Sequence, residues 1–309
     1  MSVLEVKHLK KSFGTIRAVQ DISFSVDGGE VFTIIGPNGA GKTTTLEMIE
    51  GLVTPDQGEI HFGDWNWNRD ANTIKKMIGV QPQSSAMFDL LTPEENLHLF
   101  STFYSHSRPT EEILELINLT DHRNNHVKKL SGGQRQRLAI GLAMISDPDI
   151  IFLDEPTTGL DPQARRNIWD IILELRNLGK TIILTTHYME EAEKLSDRVC
   201  IIDQGLIVAV DTPSALIEQL SKEREVRLSF LDGEEAAIEG ELFLKTLDSV
   251  KKIERDDTSL KLWTLHPEDT LYDLFKFTKE NEYKVEQISI REKSLEDVFI
   301  SFTGKEWRD

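Results

Sequence analysis

The chain has 309 residues, 39% hydrophobic and 28% charged, with a formal net charge of −18. That length fits two domains, and an acidity spread as −11 over residues 1–220 and −7 over 221–309 argues against a nucleic-acid partner. No run approaches the ~18 consecutive apolar residues of a membrane-spanning helix. The start, Met1-Ser2-Val3-Leu4-Glu5-Val6-Lys7, lacks the basic stretch and apolar core of a signal peptide. The single cysteine, Cys200, lies in the apolar run Val199-Cys200-Ile201-Ile202. An intrachain disulfide is therefore excluded, a buried inert thiol is expected, and the protein reads as intracellular.

In chain order, Leu4 to Val26 alternates in short segments such as Ile22-Ser23-Phe24-Ser25-Val26, which predicts antiparallel strands. Val31-Phe32-Thr33-Ile34-Ile35 predicts a buried strand, and Thr44 to Ile49 a helix. Thr54 to Glu59 is a turn before a short strand over residues 59–62. Residues 93–119 read as helical with a break at Arg108-Pro109, and residues 134–145 as another helix. Ile150-Ile151-Phe152-Leu153 and Thr181-Ile182-Ile183-Leu184-Thr185 read as buried strands around a helix over 163–178. Buried strands alternating with helices predict an α/β core with a parallel sheet. The texture changes near Leu220-Ser221-Lys222-Glu223. Beyond it Val226 to Phe230, Ser259 to Trp263 and Tyr283 to Ile288 alternate like half-exposed strands, with helices between and after. The predicted organisation is a core domain over 1–220 and a small α+β domain over 221–309.

Between the buried strand and its helix lies Gly36-Pro37-Asn38-Gly39-Ala40-Gly41-Lys42-Thr43-Thr44, which matches the phosphate-binding loop G-x-x-x-x-G-K-[ST]. Glycines let backbone N–H groups turn inward without a Cβ in the way, and those donors with the helix N-terminus hold a polyphosphate. Lys42 would reach the β- and γ-phosphates, and Thr43 would place its hydroxyl on Mg²⁺. Asp149 to Glu155 is an apolar strand ending in two carboxylates, the Walker-B arrangement. There Asp154 would hold Mg²⁺, and Glu155 would polarise the attacking water as general base. In Leu130-Ser131-Gly132-Gly133-Gln134-Arg135-Gln136-Arg137 the serine is a helix N-cap and the glycines admit close approach of an anion. On residues alone this is also a plain capped helix, and His187 a plain strand-end histidine.

Leu-Ser-Gly-Gly-Gln resembles the signature of ABC-type ATPases, and further motifs match in order. Gln83 in Gly79-Val80-Gln81-Pro82-Gln83 resembles the Q-loop glutamine, which contacts Mg²⁺ and senses the permease. Gly159-Leu160-Asp161-Pro162 resembles the D-loop, and His187 in Leu184-Thr185-Thr186-His187 the switch histidine that contacts the γ-phosphate. Phe13 in Lys11-Ser12-Phe13-Gly14 sits where the family's adenine-stacking aromatic lies; with phenylalanine in place of the common tyrosine, the stacking face stays and the hydroxyl goes. The alternative for Phe13 is a core residue before a turn.

The resemblance implies a P-loop NTPase core with an antiparallel β subdomain and a helical subdomain, using ATP and Mg²⁺. It also implies that Ser131, Gly132, Gly133 and Gln134 meet nucleotide held by a second ATPase subunit, and that an integral-membrane permease anchors the pair at the inner face of the membrane. Ser294-Leu295-Glu296-Asp297-Val298-Phe299-Ile300-Ser301-Phe302-Thr303-Gly304 resembles the closing segment of daunorubicin-resistance-type exporter ATPases, and read bottom-up it is an amphipathic helix. Export is the expected direction. An importer ATPase, or a non-transport ABC ATPase acting on DNA or ribosomes, are the alternatives; the acidity, the single cassette and the single cysteine disfavour the latter.

Overall fold

The computed structural model describes residues 1–83, 87–220 and 222–304. The chain divides into two compact units: Met1–Leu216 together with the segment from Phe299, and Ile217–Val298.

The first unit begins with two long strands, β1 (Ser2–Phe13) and β2 (Ile16–Asp27), then β3 (Val31–Ile35), helix α1 (Lys42–Ile49), β4 (Gln57–Phe62) and β5 (Trp65–Asn66). Next come α2 (Trp67–Met77), β6 (Ile78–Gln81), α3 (Pro93–Ser101), α4 (Thr110–Leu116), α5 (Gly132–Ala143) and β7 (Ile150–Asp154). Helix α6 (Pro162–Asn177), β8 (Thr181–Thr186), α7 (Met189–Leu195), β9 (Arg198–Asp203), β10 (Leu206–Asp211) and α8 (Pro213–Glu218) follow.

Among the described residues ten strands form one sheet, in the order β5-β4-β1-β2-β10-β9-β3-β8-β7-β6. One end is antiparallel and the other parallel: β3 pairs in parallel with β8 and β9, β7 with β8 and β6. The two parts join between β2 and β10 at a single pair, Leu206 with Asp21.

The parallel strands β3, β7 and β8 are buried along their whole length because both faces are covered. Val31, Ile151, Leu153, Ile182 and Leu184 point to one core with Leu97, Leu138 and Ile172 from the helices. Their neighbours Phe32, Ile34, Ile150, Phe152 and Ile183 point to the other, with Leu46 of α1 and Leu4 and Ile22 of the antiparallel strands.

Helix starts follow cap chemistry. Thr92 caps α3 in a reciprocal box with Glu95, Ser131 caps α5 in another with Gln134, and Asp161 accepts from the N–H groups of Gln163 and Ala164 at the start of α6. The helical stretch predicted over 93–119 is two helices, α4 beginning after Pro109.

The second unit runs β11 (Arg224–Phe230), α9 (Glu234–Leu244), β12 (Val250–Asp256), β13 (Ser259–Thr264), α10 (Pro267–Glu280) and β14 (Val285–Arg291). Its sheet order is β12-β13-β11-β14 with antiparallel neighbours. This is the split βαβ, ferredoxin-like arrangement. Val226, Leu228 and Phe230 of β11 and Leu260 and Leu262 of β13 share a core with Ala236, Ala237 and Leu244 of α9 and Leu274 of α10.

The sequence places the domain boundary at 220/221, where Ser221 lies outside the described residues, and assigns everything after it to the accessory domain. In the structure the division falls after Leu216 and again inside the closing helix α11 (Leu295–Thr303), so the segment from Phe299 groups with the first unit.

Candidate functional site

The parallel pairing carries four of the predicted motifs to one edge of the sheet. Strands β6, β7, β8 and β3 lie side by side, and their C-terminal ends lead into Gln83, Asp154-Glu155, His187 and the glycine loop. In open α/β sheets that edge is where ligands bind.

The glycine loop is fixed by close backbone approach. Gly39 and Gly41 adopt positive φ, +81° and +102°, which side chains with a Cβ rarely tolerate. A Cβ on Gly36 would collide with the carbonyl oxygen of Ile202, and one on Gly41 with that of Ala18. Ala40 donates to the Pro37 carbonyl at 3.1 Å, and its own carbonyl accepts from Gly205 N–H at 2.9 Å. Gly41 is the N-cap of α1 and offers no side-chain cap, so the first-turn N–H groups stay available to an anion.

Lys42 is 5% exposed. Its ammonium donates to the carbonyls of Gly36 (2.9 Å) and Pro37 (3.3 Å) and lies 3.5 Å from Glu155 Oε1. Burial lowers its pKa, and the neighbouring Glu155 and Asp154 only partly restore it.

Asp154, at the tip of β7, is also 5% exposed. Its Oδ1 accepts from the Thr185 hydroxyl at 2.5 Å and lies 3.5 Å from the Thr43 hydroxyl. Burial pushes its carboxyl pKa up.

Glu155 turns out of the strand with φ +47°, a left-handed conformation that stores roughly 1–3 kcal/mol in a non-glycine residue. Its N–H donates to the Thr185 hydroxyl at 3.0 Å. Its carboxylate is held from three sides: Lys42, His187 Nδ1 at 3.3 Å, and the hydroxyl of Thr158 at 3.0 Å. The His187 approach lacks hydrogen-bond alignment.

A cleft of about 570 Å³ opens over this edge, lined by Asn38, Gly39, Gly41, Lys42, Thr43, Thr44, Gln83 and Glu155. It is completed by Ile16, Arg17, Ala18 and Gln20 of β2 and by Gln204 after β9. The sequence did not point to this second group. They arrive because β2 passes over the loop at Ala18, and no local pattern announces that crossing. Phe13 does not line the cleft; it is paired across the hairpin with Ile16, about half exposed, with Lys11 Nζ 5.5 Å from its ring centre.

Ser131, Gly132, Gly133 and Gln134 are also absent from the cleft. Ser131 and Gly132 are exposed at the start of α5. Gly133 has a packing duty as well, since a Cβ there would come within 2.8 Å of the Ala164 Cβ on α6.

One buried carboxylate next to the site was not signalled by any motif. Glu50, directly after α1, is 8% exposed, and its Oε1 has no hydrogen-bond partner. Burial, then the charges of Asp154 and Glu47, push its pKa up to about 8. Its position four residues after buried Leu46 was the available clue.

The ABC transporter family model matches residues 19–158. A curated relative, the linearmycin resistance ATP-binding protein LnrL of Bacillus subtilis, is 34% identical over 99% of this chain and the whole of its own length. The chain belongs to the ABC transporter ATP-binding proteins.

As an ABC ATPase it binds nucleotide and hydrolyses ATP, on a P-loop NTPase fold. It is also 36% identical to a Nod factor export ATP-binding protein I of Ralstonia nicotianae, covering 99% of this chain and 95% of that one. To the daunorubicin/doxorubicin resistance ATP-binding protein DrrA of Streptomyces peucetius it is 35% identical, covering 97% and 92%. Among solved structures, an ABC transporter ATP-binding cassette in its ADP conformation superposes with a TM-score of 0.62 at 29% identity, covering 70% of this chain and 92% of that one. A dimeric post-hydrolysis state of another cassette, bound to ADP and Pi, gives 0.61 at 29% identity, covering 68% and 98%. Among the described residues no helix of this ABC ATPase is long and apolar enough to cross a membrane.

Proposed function

We propose that the chain is the ATP-hydrolysing subunit of an exporter for a drug, antibiotic or lipid-like compound, working in pairs beneath a separate membrane-spanning permease. The export reading draws on the resistance and export relatives, whose match runs the full length of the chain, second unit included.

The observation that carries the pairing is the split of the motifs. The phosphate loop, Gln83, Glu155 and His187 meet at one edge of the sheet, while Ser131 to Gln134 sit away from the cleft on an exposed helix start. A second copy facing the first would bring Ser131 and Gly133 to nucleotide held by Lys42 of its partner, so ATP would join two subunits and hydrolysis would release them. The dimeric ADP- and Pi-bound cassette lends support by similarity.

The phosphates would compete for Lys42, now bonded to its own loop and to Glu155. Freed from that contact, the Glu155 carboxylate would accept a proton from the attacking water, with His187 beside it at the phosphate end. Mg²⁺ suits the donors on this edge. Thr43 Oγ1 and Asp154 Oδ1 are hard oxygens 3.5 Å apart, and Mg²⁺ is usually bound through one or two carboxylates with substrate phosphates and waters. Thr43, Asp154 and Gln83 would hold it, and bound there it would neutralise phosphate charge. By the same reading the protein is cytoplasmic and sits on the inner membrane face through its permease.

The test is Glu155→Gln. Turnover should fall by orders of magnitude with ATP still bound, and light scattering should show a dimer in ATP that dissociates in ADP. Undiminished hydrolysis in that variant would remove the base assignment. A monomer in every nucleotide state would remove the composite site.

A further inference from the structure

Behind the catalytic edge a second carboxylate, Glu191 on α7, is completely buried. One of its oxygens is accounted for: Trp169 on α6 donates its indole N–H to Oε1 at 2.8 Å. The other, Oε2, is buried with no hydrogen-bond partner. A second orphan lies close by, the hydroxyl of Thr157, which is 1% exposed and also has no partner.

Burial raises the Glu191 pKa, and the hydroxyls of Thr186 and Thr157 and the Trp169 indole act against that rise, so all three donors face this carboxyl. Thr186 Oγ1 already accepts from Tyr188 N–H at 2.9 Å, which leaves its own proton to give. Beyond Tyr188 the guanidinium of Arg165 stacks on the ring at 4.1 Å. Its Nε is buried and unpaired too.

The three donors belong to three different parts of the machinery. Thr157 is two residues past Glu155, on the loop whose Thr158 holds the Glu155 carboxylate. Thr186 directly precedes His187. Trp169 stands on the helix that Asp161 caps. Unpaired buried polar atoms are costly. Thr157 Oγ1 and Glu191 Oε2 are complementary, a donor and an acceptor, and both are left without a partner in this arrangement.

We infer that Glu191 is a positioning residue for hydrolysis: its carboxylate ties the loop carrying Glu155 to the strand end carrying His187, and the Thr157–Glu191 hydrogen bond is the part of that tie which forms only when the loop is placed for turnover. The inference rests on the roles given above to Glu155 and His187.

The experiment uses the full-length ATPase and measures kcat, KM and ATP affinity. Thr157→Val keeps the side-chain shape and deletes the hydroxyl. It should lower kcat about tenfold, the factor carried by a hydrogen bond made in one state and not the other, with KM and ATP affinity unchanged and a melting temperature no lower than the parent's, since an unpaired buried hydroxyl is removed. Thr157→Ser should return kcat to within about twofold of the parent, since the bond can form again. In a Glu191→Met background, Thr157→Val should have no further effect.

An undiminished kcat in Thr157→Val overturns the inference. So does a loss in that variant that comes with a raised KM and a lowered melting temperature, or one that persists in full beside Glu191→Met; where Glu191→Met does not fold, the valine–serine pair decides. Glu155→Gln is run alongside. If it is inactive while Thr157→Val is normal, only the positioning role fails; if it still hydrolyses ATP, the reading of the whole site fails with it.

Discussion

Glu50 makes the stability of the first unit depend on pH in a way that one substitution isolates. In the unfolded chain its carboxyl ionises at 4.5; in the fold it keeps its proton to about 8. From pH 4.5 upward the folded state therefore carries a proton that the unfolded chain has lost. Each pH unit then costs about 1.4 kcal/mol of stability until the folded value is passed. Stability is thus fully present below pH 4.5 and is lost as pH rises through 8. Between pH 5 and pH 8 the loss attributable to this carboxyl is about 3 kcal/mol. Glu50→Gln has the same shape and no titration, so it should escape that loss. For a unit of this size about 3 kcal/mol corresponds to about 6–12 °C in melting temperature. The assay is thermal unfolding of parent and Glu50→Gln at half-unit pH steps from 5 to 9. The gap between them should open steadily and level off above pH 8. Parallel curves across the range would refute the reasoning and return Glu50 to an ordinary solvated carboxylate.

The other outcomes follow from single contacts. Lys42→Ala should weaken ATP binding about tenfold to a hundredfold, the worth of a charge-assisted hydrogen bond of about 1.5–3 kcal/mol, and equal affinity by calorimetry would contradict the role of Lys42. Gly133→Ala should destabilise by about 1–3 kcal/mol through the forced separation of α5 and α6, although alanine is the better helix former. A higher melting temperature in that variant would show that the 2.8 Å approach to Ala164 is not limiting.

Much of the core was legible because its signals are local. Ile150 to Leu153 is apolar at every position and Val31 to Ile35 at every position but Thr33, near-continuous runs that a sheet covered on both faces explains. Thr92, Ser131 and Asp161 announce helix starts through side chains that reach two or three residues ahead. Phosphate-loop chemistry is also local, since glycines, lysine and threonine act within nine residues.

Other elements carried no such mark. Strand β12 reads Val-Lys-Lys-Ile-Glu-Arg-Asp, a charged sheet edge whose residues are half-exposed or exposed, so its alternation is too weak to see. Helix α2 contains Asp70 with non-helical φ/ψ in its first turn, and its apolar stripe of Trp67, Ile74 and Met77 is thin among polar neighbours. The cleft's Arg17 and Gln20 on β2 and Gln204 in the turn after β9 lie apart in sequence from the phosphate loop. Glu50 becomes unusual only through burial and the nearness of Asp154.

By itself the sequence determined the chemistry available to this protein: a backbone cradle for phosphates, a lysine and a threonine beside it, two carboxylates at a strand tip, and a capped helix held in reserve. Each of those rests on residues near one another in the chain, where backbone geometry is dictated by neighbours. Tertiary structure decided how they combine. Parallel pairing of β6, β7, β8 and β3 brought four separated motifs to one edge, because parallel strands align their C-terminal ends. The same packing set Ser131 to Gln134 apart from that edge. It also buried Glu50 and Glu191 beside it, and a carboxylate's environment is a property of everything folded around it.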